Sequence, residues 1–189
     1  MKENDIIGVD ALISSDTPFG ISSDPINSKK YKIDISMDKD DDFNLPLFGR
    51  FQGKRGIAYV RRQDIKKGKE DIAKVKVYVP ASAGSGNDRK ILGEPWLSEI
   101  PSACTQTFLY AAFNDPCEAV SFISYYKTKF FRALVSSLKI TQECPKRMYR
   151  FVPLLPLHEK ALTDKELYEM FGLTDSEINF IEANVTPWL

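Results

Sequence analysis

The apolar residues are spaced mainly with the period of a strand before about residue 113 and mainly with that of a helix after it. Before that point, short segments rich in β-branched and aromatic residues, such as 75–79, alternate between two faces with the period of a strand. After it, apolar residues from Ala119 to Leu138 recur at the spacing of a helix. Strands followed by helices predict an α+β fold.

The β-rich part is expected to form one central, mostly antiparallel sheet. Its strands are predicted around 48–60, 75–80, 107–112 and 149–153. One long helix over 115–139 is predicted to pack on this sheet, because Asp115 and Pro116 are typical of a helix N-cap and first turn. Two capping boxes, which begin at Thr163 and Thr174, predict a C-terminal pair of short helices.

We expect a single domain over residues 1–189, a length that suits one domain of ordinary size. Its parts are an irregular N-terminal part (1–45), a β-rich basic part (46–112) and a mainly helical part (113–189). No run approaches the roughly 18 apolar residues of a membrane helix, and the N-terminus lacks the apolar stretch of a secretory signal. Three cysteines, odd in number and without a CxxC pair, indicate reduced thiols and a cytoplasmic location.

Charge is segregated along the chain, although its 26 basic and 26 acidic side chains cancel. Residues 50–90 contain twelve basic and four acidic side chains, and residues 127–150 contain seven and one. Two basic blocks on an otherwise acidic chain indicate a surface that binds a polyanion. The alternative is that the charge runs are merely solvated faces.

Groups suited to catalysis are few. His158 is the single histidine and has no obvious nucleophile as a partner. The stretches 64–66 and 88–90 each have the acid-x-Lys half of a metal-dependent nuclease site, but no Pro-Asp pair precedes either. The small-residue loop 83–87 lacks the GK[ST] ending of a P-loop. We therefore expect no catalytic residue and no metal site in this chain.

Nucleic-acid binding is the function that the composition favours. In the first basic block, arginines and lysines are interleaved with Phe51, Tyr59 and glycines, an arrangement that can follow a phosphate backbone. Arginines in a hairpin can also bind guanine in the major groove. The predicted DNA contacts are Lys54, Arg55, Arg61, Arg62, Lys66, Lys67, Ser85, Asn87, Arg89 and Lys90, with Lys127 and Arg147 from the second block.

Several stretches of the second half have a familiar order. They are CTQTFL (104–109), SYYKTKFFRAL (124–134), KITQ (139–142), YRFVP (149–153) and LTDKELY (162–168), followed by GLT (172–174) and EI (177–178). In that order they resemble the C-terminal portion of bacterial type II restriction-modification proteins with an adenine-specific DNA methyltransferase. Residues 18–21 and 77–86 fit the upstream part of the same region more loosely.

The resemblance implies a target-recognition domain, which holds the specific DNA site while a catalytic domain methylates the adenine. This chain has neither an Asn-Pro-Pro-aromatic motif nor a glycine-rich S-adenosylmethionine motif. We therefore expect a C-terminal fragment or split subunit that is not an enzyme by itself. Its expected partners are double-stranded DNA and the methyltransferase and nuclease domains of the parent protein. S-adenosylmethionine and Mg are expected only for those missing domains, and no cofactor is expected in this chain.

Two alternatives belong to other classes of function. A structural or interaction domain would link the methyltransferase and nuclease parts and would leave the two basic blocks on opposite faces. A small metal-dependent nuclease would place Asp64 or Asp88 beside a second carboxylate in a cleft.

Overall fold

A computed structural model describes residues 7–27, 32–83, 89–98, 100–157 and 161–188. Within these ranges the strands precede the α-helices, so the predicted α+β class is confirmed. The strands are β1 (Leu45–Phe51), β2 (Lys54–Val60), β3 (Val75–Pro80), β4 (Trp96–Ser98), β5 (Ala103–Cys104) and β6 (Phe108–Phe113). The α-helices are α1 (Pro116–Lys127), α2 (Lys129–Ser136), α3 (Asp164–Met170) and α4 (Asp175–Asn184). Short 3-10 turns occur at Val9–Ala11, Pro18–Gly20, Arg62–Asp64, Lys69–Asp71 and Lys146–Tyr149.

The strands form two three-stranded sheets, whereas the sequence predicted one. The strand order is β2-β1-β5 in the first sheet and β4-β3-β6 in the second. The pairs are antiparallel except β1 with β5, which runs parallel and places Leu47 beside Ala103. Alternation of apolar residues identifies strands but not their neighbours, so it did not indicate the division into two sheets.

Strand β3 is buried on both faces. Val75, Val77 and Val79 belong to the core that helices α1 and α2 also line, on the shared face that their alternation predicted. Tyr78 belongs to a second core around the β1–β2 hairpin, and its ring centre lies 4.7 Å from that of Phe48. The second sheet is therefore a middle layer between the helices and the hairpin.

The single helix predicted over 115–139 is wrong, because the chain forms two helices that break at Thr128. Thr128 has extended backbone torsions, with φ −63° and ψ 152°. Its Oγ1 accepts a hydrogen bond from the N–H of Phe131 at 3.1 Å and donates one to the carbonyl of Tyr125 at 2.7 Å. A threonine that bonds to nearby backbone groups in this way can end one helix and cap the next.

The apolar stripe predicted across these two helices is nevertheless part of the core. Phe122, Tyr126 and Phe130 are each no more than 3% exposed. The ring of Phe130 stacks on that of Phe171, with ring centres 4.9 Å apart. The side chains therefore lie where the helical period placed them, although the backbone path is kinked.

The predicted C-terminal pair of short helices is confirmed. Helix α3 begins with a capping box between Thr163 and Glu166, and helix α4 with one between Thr174 and Glu177. In each box the threonine side chain accepts the N–H of the glutamate, whose carboxylate accepts the N–H of the threonine. Both helix starts are thus determined by local sequence.

The strand predicted around 149–153 is wrong. The segment begins at the last residue of the 3-10 turn Lys146–Tyr149. Its strand pairing is limited to one isolated bridge between Pro153 and Gly8. Val152 and Pro153 are buried, so their apolar character reflects packing rather than strand pairing. A short apolar run bounded by a turn does not by itself distinguish these two cases.

Lys76 is a fully buried lysine in the middle strand. It is 0% exposed, and its Nζ donates to the carbonyl oxygens of Asp71 (2.8 Å), Ile72 (2.9 Å) and Lys74 (2.7 Å). Burial lowers the pKa of Lys76 to about 8. The three hydrogen bonds tie the turn before β3 to the strand itself.

Candidate nucleic-acid interface

The β1–β2 hairpin closes through a two-residue turn that determines which basic side chains face each other. Gln52 and Gly53 have positive φ values of 51° and 79°. Two consecutive positive φ values are typical of a type I′ turn, whose twist matches that of the paired strands. In this register Arg50 lies directly opposite Arg55, and Lys54 follows the turn. Because directly opposed residues share one face of a hairpin, the two arginines stand side by side.

Neither arginine has an ion-pair partner among the described residues. Arg50 Nη2 donates to the carbonyl oxygen of Gly53 at 2.6 Å. Arg55 Nη1 donates to the backbone carbonyl of Glu94 at 3.4 Å, and its guanidinium carbon lies 5.6 Å from the centre of the Phe108 ring. Both side chains are exposed, so their charge is available to a ligand.

Both arginines line an open groove with a volume of about 420 Å³. Pro80 and Phe108, at the adjoining ends of β3 and β6, contribute apolar surface to it. Such a size and a mixture of apolar and polar groups are typical of ligand sites. The groove also contains the polar side chains of Asp16, Ser23, Gln106, Thr107 and Glu143.

Glu94 connects the hairpin with the second basic block. Its Oε1 accepts a hydrogen bond from Lys127 Nζ at 2.7 Å, and its Oε2 accepts one from Trp188 Nε1 at 2.9 Å. Lys90 Nζ lies 3.9 Å from Oε2. Partial burial acts to raise the pKa of Glu94, but the hydrogen bond and charge of Lys127, the hydrogen bond of Trp188 and the charge of Lys90 together outweigh it, so the pKa lies below its usual range. Cations from both basic blocks therefore meet at one carboxylate.

A buried arginine adjoins this carboxylate cluster. Arg132 is 0% exposed, and its Nη1 donates to the carbonyl oxygens of Thr186 (2.8 Å) and Lys90 (3.3 Å). Its Nη2 is buried and finds no hydrogen-bond partner among the described residues. The Arg132 guanidinium carbon lies 5.1 Å from the centre of the Trp188 ring, and the Nζ atoms of Lys90 and Lys127 lie 4.7 Å and 5.3 Å from it.

The opposite end of β2 has different electrostatics. The strand has seven residues, so its two ends are about 20 Å apart at roughly 3.3 Å per residue. At this far end Arg61 forms ion pairs with Asp34 at 2.8 Å and with Asp64 at 2.7 Å. Arg62 lines a groove with the acidic residues 41–42. Arg61 is thus neutralised by two carboxylates here, whereas Asp16 and Glu143 line the groove at the hairpin turn without an ion pair to Arg50 or Arg55.

The other predicted contacts do not form one surface with the hairpin turn. Lys66 and Lys67 are exposed near the far end of β2. Arg89 is exposed and donates to the carbonyl of Ala183 at 3.4 Å, close to the Glu94 cluster. Arg147 is exposed in a separate groove, beside Leu138 and Ile140 among others. Ser85 and Asn87 lie outside the described residues.

Asp64 has a second carboxylate nearby, as a nuclease site would require. Asp34 and Asp64 line a groove of about 380 Å³ together with Lys66, but the guanidinium of Arg61 bridges the two carboxylates. In the described part of the chain, no group of three or more His, Cys, Asp or Glu side chains could hold a metal ion. Asp88 and His158 lie outside the described residues.

Four residues of this surface were not among the predicted contacts. Arg50 had a local signal, because the Gln-Gly turn fixes a register that pairs it with Arg55. Glu94, Arg132 and Trp188 had none, since their proximity depends on contacts between distant parts of the chain. The hydrogen bond between Glu94 and Trp188, for example, spans 94 positions.

Comparisons of this chain with protein-family models, with curated proteins and with solved structures found no match. Within the described ranges, no helix combines the length and the apolar character that crossing a lipid bilayer requires. The longest helix there, α1, has 12 residues.

Proposed function

We propose that this chain binds double-stranded DNA through the turn end of the β1–β2 hairpin. The observation that carries the proposal is the directly opposed pair of Arg50 and Arg55, exposed and without an ion-pair partner among the described residues. Lys54 adds a third exposed cation at the same end. Exposed cations without an ion pair, at one end of a two-stranded ribbon, suit a polyanionic ligand.

A DNA duplex offers two kinds of target to these side chains. Its phosphates attract cations because bound counterions are released, and its major groove, about 12 Å wide, admits a two-stranded ribbon. Lys54 would bind a phosphate through the single ammonium group of its side chain. Arg50 and Arg55 would bind phosphate or the O6 and N7 acceptors of guanine, which match the two donors of a guanidinium.

The second basic block supports this proposal over a purely structural role. Arg55 donates a hydrogen bond to the backbone carbonyl of Glu94, and Lys127 donates one to the Glu94 carboxylate. Parts of both blocks thus adjoin, whereas a linking domain that barely touches DNA was expected to have them on opposite faces. Lys90 extends the same surface, so a duplex that lies on the hairpin end could contact both blocks.

Salt dependence of duplex binding tests the proposal. Each neutralised phosphate contributes about −0.9 to the slope of log K against log salt concentration. Replacement of both Arg50 and Arg55 by Gln should flatten the slope by up to about 1.8 if both contact phosphate. If one of them binds guanine, its loss should instead cost about 1–3 kcal/mol and relax the preference at one base position.

The matched control is Arg62→Gln with Lys66→Gln, which removes the same number of positive charges at the far end of β2. This variant should bind with the slope of the wild type, because those side chains lie near the other end of β2, about 20 Å from the hairpin turn. The cognate duplex would first be selected from random sequences. Thermal melting shows whether the wild type and the Arg50/Arg55 variant are both folded. Equal salt slopes for the two folded proteins would refute the proposal.

A small metal-dependent nuclease is the second candidate, and the proximity of Asp34 and Asp64 favours it. A metal ion at these carboxylates would have to displace Arg61 from its two ion pairs. DNA cleavage with divalent metal, absent with a chelator and lost in Asp64→Asn, would establish this activity. Cleavage that persists in Asp64→Asn would exclude this site.

We propose from the sequence resemblance that the chain is the target-recognition part of a type II restriction-modification protein with an adenine-specific methyltransferase. The methyltransferase and nuclease domains would be its partners and would bind S-adenosylmethionine and Mg. Its place would be the cytoplasm, where bacterial DNA lies. The coding sequence before this chain, or an adjacent gene, should then contain an Asn-Pro-Pro-aromatic motif. Absence of the motif from both would refute the family proposal.

A further inference from the structure

We propose that a second copy of this chain inserts Phe180 of its helix α4 into the groove around Ile140. The two surfaces differ, so the contact is head-to-tail rather than between identical patches. It needs no nucleic acid, so it holds or fails independently of the proposed DNA binding.

Two exposed apolar side chains are the first support. Ile140 and Phe180 are 90% and 69% exposed, the two highest values among the large hydrophobic residues that the structure describes. Ile140 lines a groove of about 460 Å³ together with Leu138 and Met148. Burial of such side chains on a partner removes apolar surface from water, and exposed apolar surface beside polar groups is typical of interaction sites.

Positive charge at the groove is the second support. Arg147 and Arg150 are exposed and line it, and no acidic residue lines it within the described part of the chain. Neither arginine forms an ion pair with a described residue. An acidic partner is therefore the one that complements this groove.

Three acidic residues adjoin the same segment without pairing with these arginines. Asp10 and the carbonyl of Arg150 both lie beside Gly8. Asp16 accepts the N–H of Lys146 at 2.8 Å, and Glu143 precedes that lysine in the chain. The three carboxylates lower the positive potential of the segment, but the described lining of the groove is cationic.

The acidic start of helix α4 is the third support. Glu177 lies three positions before Phe180, so the two share one face of the helix. Asp175 and Glu177 are exposed and have no ion pair among the described residues. The hydrogen bond from the backbone of Thr174 lowers the pKa of Glu177, so its carboxylate is charged at neutral pH.

The described cations around α4 do not reach its acidic start. Lys129 pairs with Glu182, and Arg89 donates to the carbonyl of Ala183 at 3.4 Å. Both contacts lie about 8–9 Å further along the helix axis than Glu177, at roughly 1.5 Å per residue. On α3, Lys165 lies 4.0 Å from the carboxylate of Glu169. Phe180 is thus flanked by negative charge, as Ile140 is by positive charge.

Concentration-dependent mass without nucleic acid is the first measurement. One ring in one groove is a small contact, so association should appear at about 0.1–1 mM protein. Light scattering at about 0.05 M salt should show the mean mass rising over that range. Phe180→Ser and Ile140→Ser should each abolish the rise. Ile26→Ser, which replaces another exposed apolar residue, should keep it, and thermal melting shows whether each variant is folded.

A mixture of the two defective variants tests the head-to-tail geometry. Phe180→Ser retains the groove, and Ile140→Ser retains the ring. An equimolar mixture should therefore form a heterodimer and nothing larger, although neither variant associates alone. If the mixture stays monomeric, the two residues belong to one self-complementary patch and the head-to-tail contact is refuted.

Substitution of the two arginines tests the charge complementarity. Arg147→Gln with Arg150→Gln should weaken association by about two- to thirtyfold, the equivalent of two exposed ion pairs, and by less at about 0.5 M salt. Lys66→Gln with Lys67→Gln removes two exposed cations elsewhere and should not weaken it. Equal association of both double variants would refute this part.

The remaining outcomes concern the occupant of the groove. Wild-type protein that stays monomeric up to about 1 mM would refute a second copy and leave the groove to a different protein. Association that is lost in Ile140→Ser but kept in Phe180→Ser would show that another part of the second copy enters the groove, and α4 as the occupant would be wrong.

Discussion

Arg50 and Arg55 should repel each other in the absence of a bound anion, and a double-mutant cycle can measure this repulsion. The two residues lie directly opposite each other in the hairpin register. Like charges in such cross-strand pairs destabilise a hairpin, and pair energies of this kind are about 0.2–1 kcal/mol. Two unit charges roughly 6 Å apart in water repel by about 0.7 kcal/mol, which agrees with that range.

The cycle is needed because each arginine also has interactions of its own. Arg50→Gln loses a hydrogen bond to Gly53, and Arg55→Gln loses the contact with Phe108. These single-residue losses cancel when the free energy of unfolding is combined over wild type, both single variants and the double variant. What remains is the interaction between the two guanidinium groups.

Denaturant unfolding of the four proteins at about 0.01 M and about 1 M salt is the assay. The coupling should be repulsive by about 0.2–1 kcal/mol at low salt and should approach zero at high salt, where the screening length is about 3 Å. Added duplex should make the pair favourable, since an anion between the two groups removes their repulsion. A coupling of zero, or an attractive one, at low salt without DNA would show that the two charges are not juxtaposed.

Phe130→Ala should lower the free energy of unfolding by about 3–5 kcal/mol, because its 3% exposed ring is lost from the core; unchanged thermal melting would contradict this. Burial lowers the pKa of Lys76 from 10.5 to about 8, so between these values the unfolded state binds more protons and stability should rise with pH. Lys76→Met should lose that rise, as denaturant curves at about pH 8 and about pH 9.5 would show. Thr128→Ala should cost about 0.5–2 kcal/mol through loss of the α2 cap, measured by thermal melting. The isolated chain should neither transfer methyl groups from S-adenosylmethionine to DNA nor cut DNA with Mg, and labelled methyl transfer would contradict the first part.

The features of the fold that depend on local sequence were predictable. The apolar stripe around Phe130 and the capping boxes at Thr163 and Thr174 involve residues within a few positions of one another. The break at Thr128 also had a local signal, since threonine is a good N-cap, but the continuous apolar stripe outweighed it. The separation into two sheets had no such signal, because strand neighbours come from distant parts of the chain.

The candidate site divides in the same way. The pairing of Arg50 with Arg55 depends on a two-residue turn and could be derived from the sequence. The neutralisation of Arg61 by Asp34, 27 positions away, could not. Charge runs in the sequence therefore located the basic segments but did not show which of their members form ion pairs after folding.

The burial of β3 on both faces has a consequence for how the molecule opens. Val77 faces one core and Tyr78 the other, so loss of this strand would expose both cores at once. The two halves should then unfold together rather than one after the other. Backbone amides of β3 should be among the slowest to exchange with deuterium, through global opening alone. Fluorescence of Trp96 beside the hairpin and of Trp188 beside the helices should accordingly report the same denaturation midpoint.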